Sequence, residues 1–180
     1  MSEWPESLLF RRFEAREVTM LTGVSQDRQR LIGMRYFDYR ESIKPEGGRR
    51  RWNWAGVQRL AIFDAALGHL GGGEKALRVI RSDDMEMLLD FDLREHPQDH
   101  LIFMDLTIEK VEVVDPDRLA RIFNGHWVDS AGKLLKPDSA YIYNVTALQR
   151  RLCARLGLDT DRATDPSKVE VQESDAKDEG

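Results

Sequence analysis

The chain has 180 residues, a length that suits one or two small domains, and its 41% hydrophobic content supplies a core and excludes wholesale disorder. Its single cysteine, Cys153, excludes an intramolecular disulfide framework and a Cys-rich metal site. No apolar run approaches the roughly 18 residues of a membrane span, and Met1 to Phe10 shows no basic stretch followed by an apolar one, so a cytoplasmic protein without membrane contact is expected. The formal net charge of −5 is an average of two unlike halves. Residues 1–82 hold 15 basic and 10 acidic side chains, and residues 83–180 hold 12 and 22.

In chain order, residues 1–12 read as a flexible lead. Glu14 to Thr22 reads as a short helix with Val18 and Leu21 on one face, flanked by Phe13 and Val24 and broken by Gly23. Ser25 is a good N-cap for a second helix from Gln26 to about Asp38, whose expected buried stripe is Leu31, Met34 and Phe37, with Ile32 beside it. Pro45, Gly47 and Gly48 mark a turn before a short extended segment, Arg49 to Trp52. Asn53 can cap a third helix with Val57, Leu60, Ala61 and Leu67 inward, ended by Gly71-Gly72-Gly73, and Glu74 to Arg81 reads as a fourth. Beyond that the period shortens to two. Met85, Met87, Leu89, Phe91 and Leu93 alternate with mostly acidic residues, and Ile102, Met104, Leu106 and Ile108 alternate again, so 85–108 reads as a hairpin. A helix is the rival reading for Met85 to Phe91, because Met85, Leu88 and Leu89 also fit helical spacing. Lys110 to Val114 extends the sheet, and Asp115 or Asp117 caps a helix through Leu119, Ile122 and Phe123. A second hairpin is expected over Trp127 to Lys136, a strand over Tyr141 to Val145, and a last helix capped by Thr146 with Leu148, Leu152, Cys153 and Leu156 on one face. Asp159 to Gly180, with eight acids and three bases, reads as a disordered acidic tail.

Helix, glycine turn, helix, short hairpin, helix is the outline of a winged helix-turn-helix. The residues resemble the DNA-binding domain of the MerR (mercury-resistance regulator) type. Glu14-Ala15-Arg16-Glu17-Val18 and Leu21-Thr22-Gly23-Val24-Ser25 are similar to that family's first helix and turn. Met34-Arg35-Tyr36-Phe37-Asp38 is similar to its "L-R-Y-Y/W-E" stretch, Ile43-Lys44-Pro45 to its "L-x-P", and Gly47-Gly48-Arg49-Arg50-Arg51-Trp52 to its "G-G-H-R-R-Y" wing. Asn53, Val57 and Leu60 match the cap and core positions of the helix after the wing. The likeness covers roughly residues 13–70, and the order of four individually weak pieces carries it.

Two departures accompany it. Eight residues, Gln26 to Gly33, separate the turn from the "L-R-Y" stretch where the family has about three. The second helix is longer or is interrupted by Gly33, or else a gap-free alignment holds. The latter puts polar Gln29 where the helix needs an apolar residue and Leu31-Ile32 where aromatics are usual. The family's long dimerising helix is also replaced by a triple glycine and a strand-like pattern.

The expected architecture is α+β. A winged helix-turn-helix at 13–82 is followed by a small α+β unit at 83–158, an antiparallel sheet with two helices that dimerises, binds an effector or contacts a partner. The tail, 159–180, closes the chain.

Arg28 to Arg51 carries eight basic residues, seven of them arginine, the side chain suited to phosphate and base-edge contacts, and only three acids. Arg49, Arg50 and Arg51 on the wing would reach the backbone or the minor groove. Arg28, Arg30 and Arg35 are candidates for the recognition surface, with Arg16 beside them and Gln26 and Gln29 as base readers. Tyr36 reads either as a phosphate donor or as a core aromatic, while Phe37, Trp52 and Trp54 read as packing residues.

Other chemistry is thin. His69, His96, His100 and His126 do not form a metal set, since Pro97 argues against a helix aligning His96 with His100. Asp83-Asp84 and Asp90/Asp92 have no nearby base or nucleophile to complete a mechanism. Gly71-Gly72-Gly73-Glu74-Lys75 lacks the spacing of a phosphate loop. Cys153 reads as a buried structural thiol. The expected function is therefore not enzymatic and needs no cofactor. The leading expectation is a sequence-specific regulator that binds double-stranded DNA as a homodimer, with a possible protein partner through its C-terminal half. The alternative is a protein-interaction adaptor on the same scaffold, whose acidic half or tail engages a basic partner or its own head.

Overall fold

The computed structural model describes residues 8, 10–37, 42–43, 51–82, 85, 88–89, 98–108, 110–128, 133–135 and 137–158. It is a mixed α+β chain, with six helices and small antiparallel sheets among the described residues. Strand β1 (Phe13–Glu14) leads into α1 (Ala15–Thr22), and α2 (Gln26–Arg35) follows a three-residue turn. Strands β2 (Ser42–Ile43) and β3 (Arg51–Trp52) pair antiparallel, with Ser42 opposite Trp52. The same β3 pairs with β1, with Phe13 opposite Trp52, so the first strand closes a three-stranded sheet in the order β1-β3-β2.

Helix α3 (Trp54–Leu70) is the spine of the molecule. Asn53 caps it as its residue type predicts, its Oδ1 accepting from the Gly56 N–H at 2.6 Å. Val57, Leu60, Ile62 and Phe63 are fully buried on several faces of the helix, so α3 is surrounded rather than half-covered. At roughly 1.5–3 kcal/mol for each fully buried large side chain, this helix contributes much of the hydrophobic stabilisation. Helix α4 (Gly73–Ile80) folds back on it, placing Gly73 against Tyr36. A Cβ at position 73 would lie 2.5 Å from the Tyr36 hydroxyl, so a larger residue there has to displace the Tyr36 ring.

The second sheet has the order β5-β4-β8, built from β4 (Leu101–Asp105), β5 (Val111–Val114) and β8 (Ala140–Asn144). Central β4 is buried on both faces. Ile102 and Met104 turn to the main core, and Phe103 turns to a satellite cluster with Val114, Ile122 and Trp127. Helix α5 (Pro116–Phe123) is capped by Asp115, the first of the two candidate caps. Strands β6 (Trp127–Val128) and β7 (Leu134–Leu135) form the second expected hairpin, whose apex lies outside the described residues. Trp127 Nε1 donates to Glu112 Oε1 at 3.0 Å. Burial raises the Glu112 carboxyl pKa, but hydrogen bonds from Lys110 and Trp127, with the charges of Lys110 and Arg118, outweigh it and leave it below the usual glutamate range.

Several expectations are corrected. Met85, Leu88 and Leu89 are helical and buried, so the helix reading of that segment replaces the strand reading, and β4 pairs with β5 and β8 instead. Strand β4 stops at Asp105 because its buried carboxylate accepts from the Thr107 and Ile108 amides at 2.7 and 3.0 Å, a local turn that removes Leu106 and Ile108 from the strand. Helix α6 (Val145–Arg155) is capped by Asn144 rather than Thr146, whose hydroxyl instead accepts from the His100 N–H. In the lead, Leu8 is buried in the main core and Phe10 is exposed. Residues 159–180, the expected tail, lie outside the described residues.

The main core also crosses the expected boundary at residue 82. It joins Phe13, Val18 and Ile32 to Met104, Val145, Leu152 and Cys153. At its centre Gln149 Nε2 donates to Gln58 Oε1 at 2.8 Å, and Gln58 Nε2 donates to the Leu89 carbonyl at 3.1 Å. The Arg155 guanidinium at the end of α6 donates to the Leu21 carbonyl, tying the last helix to the end of α1.

Candidate functional site

The site is built from α1, its turn and α2. Glu17 in the first turn of α1 accepts from the Glu14 N–H at 2.8 Å and pairs with Arg11 at 2.9 Å. These bonds, led by the Glu14 amide, hold its carboxyl below the usual range against a small opposing effect of burial. Gly23 ends α1 at φ 83°, a left-handed conformation that a β-carbon disfavours. Ser25 Oγ then accepts from the Arg28 N–H at 3.3 Å and starts α2.

The two helices are fastened by a polar lock centred on Gln29, a residue the sequence offered as a base reader. Gln29 is 1% exposed, so it is not a base reader on the surface of α2. Its Nε2 lies 2.9 Å from each of three acceptors, the Ala15 carbonyl, Thr19 Oγ1 and the Val24 carbonyl. One side-chain amide thereby joins the start of α1, its middle and the turn. Met34 and Leu31 are corrected in the opposite sense. They are 68% and 49% exposed, while α2 buries Gln29, Ile32 and Gly33. A glutamine is buried at this position of α2 because it meets three oxygens there. Helix α2 ends at Arg35, short of the expected Asp38.

The remaining candidates divide. Arg16 on α1, and Gln26, Arg30 and Arg35 on α2, are exposed and have no side-chain partner among the described residues. Arg28 is also exposed, but its Nε is ion-paired with Asp64 of α3, so it fastens α2 to the spine. Tyr36 resolves toward core: its ring lies 4.8 Å from that of Phe63 and its hydroxyl faces Gly73. The Arg81 guanidinium donates to the Tyr36 carbonyl at 3.1 Å, closing the end of α2. Phe37 packs edge-on against Trp52 and Phe63, and Trp52 and Trp54 are buried, as packing residues. Arg51 is exposed on β3, 3.9 Å from Glu14, a pairing too open to hold it firmly. Arg49 and Arg50 lie outside the described residues.

At about 100° per residue, the outward side of α2 has a definite layout. Asp27, Leu31 and Met34 form a central strip opposite the buried Gln29, Ile32 and Gly33, with Arg30 on one flank and Arg35 on the other. No described helix is long and apolar enough to cross a membrane. No protein-family model matches the chain, and no curated protein matches it.

Proposed function

We propose that this chain is a sequence-specific regulator that binds double-stranded DNA through a winged helix-turn-helix. In this reading α2 enters the major groove, and the β2–β3 pair with its arginine-rich connection touches the backbone or the minor groove. The observation that carries the reading is the outward side of α2. It presents two flanking arginines without partners among the described residues, on a helix fastened from behind by Gln29 and Arg28. A helix that reads DNA must be held rigidly while its outer side chains stay uncommitted. Arg16, Arg30, Arg35 and Arg51 are the phosphate-binding candidates, joined by Arg49 and Arg50 from the sequence. Gln26 stands at the edge of the reading side, and Gln29, Arg28 and Tyr36 become positioning residues. The chain acts as a cytoplasmic homodimer in this proposal, matching a two-fold DNA site.

The test is selection of bound duplexes from a random pool, followed by affinity measured over a range of salt. Enrichment of a defined motif, bound with an affinity that falls linearly in log salt, supports the reading. Absence of enrichment and of binding at low salt refutes it.

One observation favours a second reading, a protein-binding adaptor. Phe123, Val128, Leu134 and Ile142 are exposed apolar residues in the C-terminal half. Capture of a partner that survives nuclease treatment, without a selected DNA motif, supports the adaptor over the regulator.

A further inference from the structure

The central strip of α2 is unusual for a surface that only neutralises phosphate. Leu31 and Met34 lie three residues apart on its most outward side, and neither is covered by another described element. An exposed leucine and methionine between two arginines are poorly suited to plain solvent, and the flanking charge argues against an apolar membrane or an uncharged partner. A ten-residue helix is about 15 Å long and about 10–12 Å across with its side chains, which matches a major groove about 12 Å wide. With the strip pointing at the floor, Arg30 and Arg35 diverge toward the two phosphate walls, one from each flank.

We infer that Leu31 and Met34 are specificity determinants that read the C5-methyl groups of thymines on the floor of the major groove, with Arg30 and Arg35 gripping opposite strands. This inference rests on the proposed DNA-binding function and names what the helix reads. Thymine is the only base that presents a methyl group in that groove, and an apolar side chain pressed against it removes both from water. Asp27, at the first turn of the same strip, can only accept, so cytosine N4 is the base-edge group it fits, and it repels the phosphates on either side. The strip therefore carries discrimination and the flanks carry affinity.

The experiment uses the full chain and the duplexes it selects from a random pool. Each thymine of the selected motif is replaced singly by deoxyuridine, which removes one methyl group and leaves every hydrogen-bonding atom in place. The wild-type chain is expected to lose affinity about four-fold at the positions read by Leu31 or Met34, the effect of burying one methyl-sized group. The exposed variants Leu31→Ala and Met34→Ala, which remove no core contact, are expected to lose that discrimination at one position each. Their salt dependence stays that of the wild type. Arg30→Ala and Arg35→Ala should behave in the converse way, with a shallower salt slope and unchanged thymine-to-uracil ratios.

The inference is overturned if the wild type binds a selected motif without distinguishing thymine from uracil anywhere. It is equally overturned if the discrimination survives both apolar substitutions, which would place the readers elsewhere. If the chain binds no duplex at any salt, the DNA-binding reading itself fails and this inference falls with it, a result separate from the other two.

Discussion

Replacing Gln29 with alanine tests whether the polar lock organises the α1–turn–α2 unit. The Gln29 amide has two protons and three acceptors at 2.9 Å, equivalent to about two net hydrogen bonds, or about 1–3 kcal/mol. Thr19 has one hydroxyl proton within reach of both the Ala15 and Val24 carbonyls, at 3.0 and 2.9 Å, so it can satisfy only one of them once the glutamine is gone. Truncation also removes about one methylene of buried surface, about 0.8 kcal/mol. Against this, Gln29 Oε1 is buried without a partner among the described residues, and losing it recovers about 1 kcal/mol. The expected loss is about 2 kcal/mol, or a fall in Tm of about 4–8 °C for a chain of this length. Gln29→Glu should be worse at pH 7, because it replaces the donor amide by a buried charge facing three oxygens. Urea and thermal unfolding followed by circular dichroism measure these losses, with exposed Gln26→Ala as the control, expected within about 0.5 kcal/mol of wild type. A Gln29→Ala protein as stable as the Gln26→Ala control would refute the reasoning.

Other expectations follow from the same contacts. Arg28→Ala breaks a partly exposed ion pair with Asp64 and should lower stability by no more than about 1 kcal/mol in chemical denaturation. Gly73→Ala drives a methyl group into Tyr36 and should destabilise by about 1–3 kcal/mol, read as a lower Tm. Glu112 has a lowered folded pKa, so its ionised form stabilises the fold above the ordinary glutamate pKa, and that contribution disappears as pH falls through the folded value. Wild type should therefore be more stable than Glu112→Gln in urea at pH 7, and the difference should shrink as pH falls below the ordinary glutamate range. Because the main core and the Gln58–Gln149 bond span both halves, unfolding should be a single transition with coincident probes, and two separated transitions would count against it.

Much of this fold was legible where local chemistry decides it. Ser25 and Asn53 announced the starts of two helices, Asp115 was one of two candidate caps for a third, Gly23 marked a helix end, and the turn-forming run Asp129 to Gly132 marked a hairpin. These features depend on a few neighbouring residues and a side-chain oxygen. The failures occurred where tertiary partners override the pattern. Leu31 and Met34 look like core residues on a helix and Gln29 like a surface one. Only the three oxygens supplied by α1 and the turn reverse them. The alternation of Met85 to Leu89 fits strand and helix alike, and burial against α3 and α6 chose the helix. The charge split at residue 82 reports on surfaces, whereas the main core joins residues far apart in sequence on both sides of it. In the candidate site, composition pointed to the arginines, and packing separated those that fasten α2 from those that remain outward.

The most direct measurement is a fluorescence-anisotropy titration of selected duplex DNA at several salt concentrations, with wild type, Arg30→Ala and Arg35→Ala. The account predicts an affinity that falls linearly in log salt, with a slope about one unit shallower for each arginine removed. A chain that fails to bind duplex at 50 mM salt, or whose salt slope is indifferent to both substitutions, would contradict it.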